Sequence, residues 1–455
     1  MKEQSERLGK DPIPRLLADL AIPAIVGMLV MATHSVIDTI YIARGVGTVG
    51  VAAVAIAFPL HMFFMALSGA IGIGGASVIS RALGAGNLQK ANEAFGNINS
   101  LVITVSVVGA LLGLSFLTPM LILFGSSATI LPYARDYLGI ILYGTIFFAY
   151  SFAVNNIVRA EGNARMAMTT MIMSSILNAI FTPIFMFVLD MGIQGAAYGT
   201  VLAQGLTALY LFLYFQTGKS SLSVRIHYLA PQPKLIGEIL SIGASAFVRQ
   251  GSGSIMLIVA NNMLILYGGD IAIAVLGIIH RVIMFTLMPI LGVVQGMLPL
   301  VGFNYGAKNK LRVNETIVLA MKVATAIALF AFILVMSIPG PLIKIFTDDP
   351  EAIEMGRSAL RIIFALSLTV GVQMITGGVF QALGKARSAF IVSMTRQIIF
   401  LIPLLLLLPF LFDLRGIWLA FPLADLLSFI LVIWLIRQHK NYFFPDKQNL
   451  AASSE

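Results

Sequence analysis

Apolar residues in this chain do not alternate with polar ones. They run together in long blocks, and Gly, Pro, Asn and charged residues collect in the gaps between them. Twelve blocks are read, near 16–42, 49–78, 93–118, 133–157, 167–190, 192–216, 237–266, 270–301, 313–338, 352–380, 389–412 and 416–437. Each is close to the roughly 20 apolar residues that a helix needs to cross a bilayer. In hydrocarbon no water can pair a free N–H or C=O, so such a block must satisfy its backbone internally, as a helix. A membrane β-barrel is excluded, because its strands would be short and would alternate apolar with polar.

The blocks repeat. At a constant offset of 222 residues, Gly84-Ala85-Gly86-Asn87 is echoed by Gly306-Ala307-Lys308-Asn309, and Gly162-Asn163-Ala164-Arg165 by Gly384-Lys385-Ala386-Arg387. The same register pairs Met62 with Met284, Phe63 with Phe285, Gly74 with Gly296, Pro119 with Pro341 and Arg135 with Arg357. Several matches in one ungapped register indicate a tandem duplication of six spans. The longest polar stretch, Thr217 to Leu235, falls where the two copies should join. The expected organisation is an N-terminal segment 1–15, a first lobe 16–216, a linker 217–236, a second lobe 237–437 and a tail 438–455.

Composition agrees: 58% of residues are hydrophobic and 11% charged, about half the charge of a soluble domain. The net charge of +9 is not gathered into a nucleic-acid-binding domain. It sits mainly in short loops, where it sets topology. With the N-terminus inside, nineteen Lys and Arg fall on the cytoplasmic side, Lys219 and Lys447 among them, against five outside (Arg44, Arg135, Lys344, Arg357, Arg415). Both termini are therefore expected in the cytoplasm. Because each copy holds an even number of spans, the copies share one orientation. They form parallel repeats about an axis along the membrane normal, as in transporters that rock two lobes. The expected fold is an all-α polytopic membrane protein, with 12 transmembrane helices as two parallel six-helix repeats around a central cavity. A duplicated scaffold without transport is the alternative, disfavoured because few other activities need two equivalent bundles. Cysteine is absent, which removes thiol chemistry. The first block is too long for a signal-peptide core and is read as a retained helix.

Ionisable groups inside spans are costly and mark function. Asp38 lies late in the first span, and its partner at the repeat offset is Ala260. A carboxyl without a cation in low dielectric gains from taking up a proton and releases it when water returns. The alternative is that Asp38 meets water at the outer interface. His34 lies one turn earlier, able to share the same face or simply to bond a neighbour. Asn155, Asn178, Thr182 and Thr200 are the polar residues expected to surround Asp38, although each also suits ordinary interhelical bonding. In the second lobe, Arg249, Arg281 and Arg396 are cationic and Asp425 is the available counter-ion, so Arg249, Arg396 and Asp425 are read as structural charges. Arg281 stands level with Asp38. Met31, Met62, Phe63, Gln250, Arg281 and Met284 are the candidate cavity residues, Met and Phe supplying soft, adaptable surface. There is no phosphate-binding loop, zinc motif or nucleophile elbow. No catalytic residue or metal site is expected, and transport would depend on an ion gradient.

Leu20-Ala21-Ile22-Pro23, Ile37-Asp38, Arg159-Ala160-Glu161-Gly162-Asn163 and Gly195-Ala196-Ala197-Tyr198-Gly199-Thr200 resemble the MATE (multidrug and toxic compound extrusion) family, most of all its bacterial DinF-like members. The resemblance covers about Pro14 to Arg437. It implies efflux of amphipathic, often cationic compounds against inward H⁺ or Na⁺, in a bacterial inner membrane, by a monomer with no bound cofactor. It places the key first-lobe carboxylate on Asp38 and its companions on Asn155, Asn178 and Thr200. A second carboxylate found in some members falls on Thr182 here, and the acidic residues of NorM-type members find no match near Gln250–Gly253 or Val372–Gln373. Both departures favour H⁺ over Na⁺. Arg281 matches an arginine of DinF-like members. A flippase for lipid-linked precursors, which shares the wider architecture, is the second reading because of the three arginines. An integral-membrane enzyme is the third.

Overall fold

A computed structural model describes residues 2–218, 220–223 and 225–443. Lys219 of the expected linker and residues 444–455 of the expected tail, with Lys447, lie outside them. Regular structure among the described residues is entirely helical. In chain order the α-helices are Lys2–Lys10 (α1), Ile13–Gly45 (α2), Thr48–Gly84 (α3), Leu88–Ser115 (α4), Leu117–Leu123 (α5), Leu131–Ala160 (α6), Ala164–Pro183 (α7), Gly192–Gln216 (α8) and Pro233–Gly306 (α9). They continue as Lys310–Ser337 (α10), Pro339–Lys344 (α11), Pro350–Phe364 (α12), Leu368–Ala382 (α13), Ala386–Met394 (α14), Ile402–Leu407 (α15), Pro409–Gln438 (α16) and Lys440–Phe443 (α17).

Ten described helices are long and apolar enough to cross a membrane, and the pair α12–α13 makes an eleventh. The twelfth is inside α9. Its 74 residues would extend about 110 Å as one rod, far beyond a bilayer core of roughly 30 Å. At Gly269 the backbone turns to φ 66°, a left-handed value that glycine adopts at little cost, and the helix becomes two.

One span departs from the sequence reading. Residues 352–380 are not a single helix, since α12 and α13 are bent by 52°. Between them the backbone tightens into i→i+3 turns, Ala365 N–H to Ile362 O and Ser367 N–H to Phe364 O. The two halves also differ in character. In α12, Glu351, Glu354, Arg357 and Arg361 are exposed while Ala352, Ile353, Ala359 and Leu360 are buried, whereas α13 carries no charged residue. Two further irregularities are π-helical turns, Ile184–Val188 after Pro183 and Thr395–Leu401 just before Pro403. Proline cannot donate to the helical ladder, and a slipped hydrogen-bond register absorbs the defect.

The echoed motifs are helix starts. The side chains of Asn87 and Asn309 accept from Lys90 N–H at 2.9 Å and Arg312 N–H at 3.2 Å. The residues just before them, Gly86 and Lys308, are both left-handed, at φ 70° and 59°. Asn163 caps α7 in the same way, from Met166 N–H at 3.1 Å, but its echo Lys385 provides no side-chain cap. The second copy keeps the turn and has lost the cap.

The chain divides into two compact units. One is built of Val26–Gly243 with the segment ending at Lys10; the other contains Asp11–Ile25 and the chain from Ala244 on. Within the first, α3 crosses the start of α9 so closely that a Cβ on Gly74 would lie 2.1 Å from Ile239 O. Within the second, a Cβ on Gly296, the repeat partner of Gly74, would lie 2.7 Å from Ala21 N. The duplicated glycine thus serves the same purpose twice, a small-residue crossing that lets two backbones meet.

The described part of the linker lies against the first unit. Ser223 N–H donates to Asn92 Oδ1 at 2.9 Å, Gln232 N–H to Asn97 Oδ1 at 2.7 Å, and Ser100 Oγ to Leu229 O at 2.7 Å.

Candidate functional site

Asp38 sits seven residues before the end of α2, about 10 Å along the helix. Its Oδ1 is enclosed with no hydrogen-bond partner. Thr182 of α7 and Tyr137 of α6 face its carboxyl. No cation is paired with it among the described residues. The carboxyl is neither free in bulk water nor neutralised.

From Thr182 the bonding continues in one direction. Thr182 Oγ1 donates to Asn178 Oδ1 at 3.1 Å, Asn178 Nδ2 to Thr200 Oγ1 at 2.9 Å, and Thr200 Oγ1 to Ala196 O at 2.9 Å. A threonine hydroxyl has one hydrogen and two lone pairs. With its hydrogen on Asn178, Thr182 presents only a lone pair toward Asp38. Turned toward the carboxylate, the same hydrogen would leave Asn178 Oδ1 without its donor, so the hydroxyl serves one side or the other. Helix spacing explains the set: Asn178 and Thr182 stand one turn apart on one face of α7.

His34 lies four residues before Asp38, on the same side of α2, and its Nδ1 is enclosed without a partner. Asn155 does not join this chain. Its Nδ2 donates to Ala167 O and Thr170 Oγ1, each at 2.8 Å, tying α6 to α7. Thr170 is eight residues from Asn178, about 12 Å along α7.

In the second unit, Arg396 Nε donates to Asp425 Oδ1. Gln373 adds a bond from Nε2 to the Asp425 backbone oxygen at 3.1 Å. A cavity of about 30 Å³ borders this pair, lined also by Thr286 and Ser367. Arg249 is not the partner of Asp425. It lies half-buried on α9, with its backbone oxygen accepting from Ser252, whose hydroxyl is also bonded to Gln397. Arg281 is exposed, with its guanidinium 5.7 Å from the centre of the Phe346 ring. Gln250, Met31 and Met62 are half-buried, while Phe63 and Met284 are exposed on their own units, at 49% and 41%.

Three features escaped the sequence reading. His61, Thr145 and Gln204 share a small cavity in the first unit, with the His61 ring 4.6 Å from that of Phe148. The signal was present, since a histidine inside a span and a glutamine one turn after Thr200 obey the same rules that singled out Asp38. Tyr137 beside Asp38 had no such signal. A larger, apolar cavity of about 640 Å³ is lined by Phe147, Phe185, Tyr198 and Leu202 and contains none of the residues above. Without polar groups to orient a ligand, it offers no chemistry of its own. Among the described residues there is no group of three His, Cys, Asp or Glu able to hold a metal ion.

The MatE family model matches residues 23–184 and 247–407, one stretch in each repeat. The chain belongs to the MatE family. It is 48% identical to the MATE multidrug transporter DinF-BH, whose structure is solved with a ligand bound, with a TM-score of 0.90 over 97% of this chain and 99% of that one. It is 26% identical over 450 residues to the multidrug export protein MepA of Staphylococcus haemolyticus, covering 98% of both. The MepA protein of Staphylococcus aureus is 27% identical over 443 residues, 96% of both. Full-length matches to family members with the same helices identify a multi-pass membrane transporter, built as two repeats of six spans.

Proposed function

We propose that the chain exports amphipathic, often cationic drugs across a bacterial inner membrane in exchange for inward protons, with Asp38 as the coupling carboxylate. The observation that carries this reading is an enclosed carboxyl with no paired cation among the described residues, set beside the hydrogen-bonded run Thr182–Asn178–Thr200. A proton arriving from outside neutralises the carboxyl, and its loss leaves a charge that draws the Thr182 hydroxyl away from Asn178. Coupling requires only that proton and cargo favour different states of an alternating-access cycle. A carboxylate that has lost its proton also offers a negative charge to a cationic drug, so that cargo and proton compete. Multidrug export by MepA and multidrug transport by DinF-BH support the cargo class.

Na⁺ coupling is the weaker reading. A hard cation prefers several oxygen ligands including carboxylates, and Thr182 stands where a second carboxylate would be needed. The flippase reading loses its motivation too, because Arg396 is neutralised by Asp425 and Arg281 lies over Phe346. Purified protein in liposomes tests the ion directly. Drug movement should follow an imposed pH gradient and ignore an imposed Na⁺ gradient; the reverse pattern would replace the proton by Na⁺.

A further inference from the structure

The small cavity that holds His61 in the first unit and the cavity beside Arg396 in the second are one feature of the duplicated fold. At the 222-residue offset, His61, Leu142, Thr145 and Phe148 of the first become Ile283, Phe364, Ser367 and Val370, and all four of these line the second. Phe64 and Thr286 are a further such pair. A gap left by chance packing would not recur against the same residues of both copies.

Each copy lines this space with polar groups, but with different ones. In the first they are His61 of α3, Thr145 of α6 and Gln204 of α8. Gln204 is the middle residue of α8 and Thr145 stands at the middle of α6. The cavity therefore lies at mid-span, where an unpaired polar group is most costly. Thr145 Oγ1 gives its hydrogen to Ile141 O at 3.1 Å and keeps a lone pair to accept with. The His61 ring packs against Phe148, and neither it nor the Gln204 amide has a hydrogen-bond partner among the described residues. In the second copy Ser367 Oγ is enclosed without a partner, and Thr286 and the Arg396–Asp425 pair line the same cavity.

Size selects the ligand. The cavities measure about 10 Å³ and about 30 Å³, and a water needs roughly 10–15 Å³ with two to four polar partners. A drug or a hydrated ion is too large, and a gap lined only by apolar groups would stay dry.

We propose that each repeat holds an internal water at this equivalent position, bound in the first by His61, Thr145 and Gln204 and in the second by Ser367, Thr286 and the Arg396–Asp425 pair. In the first repeat the water ties α3, α6 and α8 together at mid-span. Gln204 stands one turn beyond Thr200, so the water also steadies the helix that ends the polar run beside Asp38.

The test is a structure of the full-length protein at a resolution that shows ordered water, with radiolytic labelling in oxygen-18 water as a second readout. In the wild type, water density should stand within hydrogen-bonding distance of His61, Thr145 and Gln204 and again beside Ser367, and label should enter Phe148 and Phe364. Thr145→Ser, which copies the second repeat, should keep the first water. Thr145→Val with Gln204→Leu leaves His61 as the one polar side chain on the first cavity, and should lose both that water and the Phe148 label while the Phe364 label stays. A dry cavity in either repeat of the wild type, or Phe148 labelling at the wild-type level in the double variant, would overturn the proposal.

Discussion

Asp38 and Asp425 are the same side chain in two halves of a duplicated protein, and they are stabilised in opposite ways. Asp425 is buried, ion-paired to Arg396 and bonded at its backbone by Gln373. Asp38 has no ion-pair partner among the described residues and faces Thr182, Tyr137 and, one turn away, His34. A carboxylate locked to a guanidinium changes charge with difficulty, because losing the charge strands the cation. One that is bonded through hydroxyls and amides can exchange its proton at the cost of rearranging hydrogen bonds. The duplication therefore supplied two lobes of one architecture, and of these two carboxylates only the one in the second lobe is held by a cation among the described residues.

The contrast can be broken at each end. The largest effect on stability is expected at the pair. Arg396→Leu should destabilise the protein by about 3–5 kcal/mol by leaving Asp425 buried without its cation, and Arg396→Leu with Asp425→Leu should recover much of the loss. Thermal unfolding in detergent reads both, and a harmless single mutant would show that the pair is not structural. Next comes Glu161, a buried carboxyl whose folded value, about 7, lies above its ordinary 4.5. Its favourable contribution, up to about 3 kcal/mol, is complete below pH 4.5 and is lost as pH rises through 7. Wild type should become less stable across that window, and Glu161→Gln should remove that part of the slope. In the first lobe, Thr182→Val should cost about 1–2 kcal/mol of hydrogen bonding and lower proton-driven efflux roughly tenfold; unchanged efflux would remove Thr182 from the mechanism. The smallest effect concerns the repeats themselves. Lys385→Asn should restore the missing cap of α14 and add about 0.5–1 kcal/mol, read as a small rise in unfolding temperature.

The spans were legible because lipid imposes one rule on every residue in them, and the repeat was legible because turns such as Gly86-Asn87 and Lys308-Asn309 keep their geometry. The bend between α12 and α13 was not, since neither Gly nor Pro marks it and the break is made by backbone turns at Ala365 and Ser367. Asp38, Asn178, Thr182 and Thr200 could be named in advance because polar groups inside spans are few. Asn155 belonged to the same class but bonds α7 near its start, a distinction that depends on which way a side chain points. Glu161 stood in a quoted motif without a role. Its burial comes from Ser220 and Leu222, some sixty residues later, and no local pattern contains that information.

The central claim is that a proton on Asp38 drives export, and the most direct measurement follows proton and drug fluxes together in liposomes holding wild-type or Asp38→Asn protein. The prediction is coupled proton entry and drug exit in the wild type, with both reduced to background in a mutant that folds and inserts normally. Coupled fluxes of wild-type size in Asp38→Asn would contradict it.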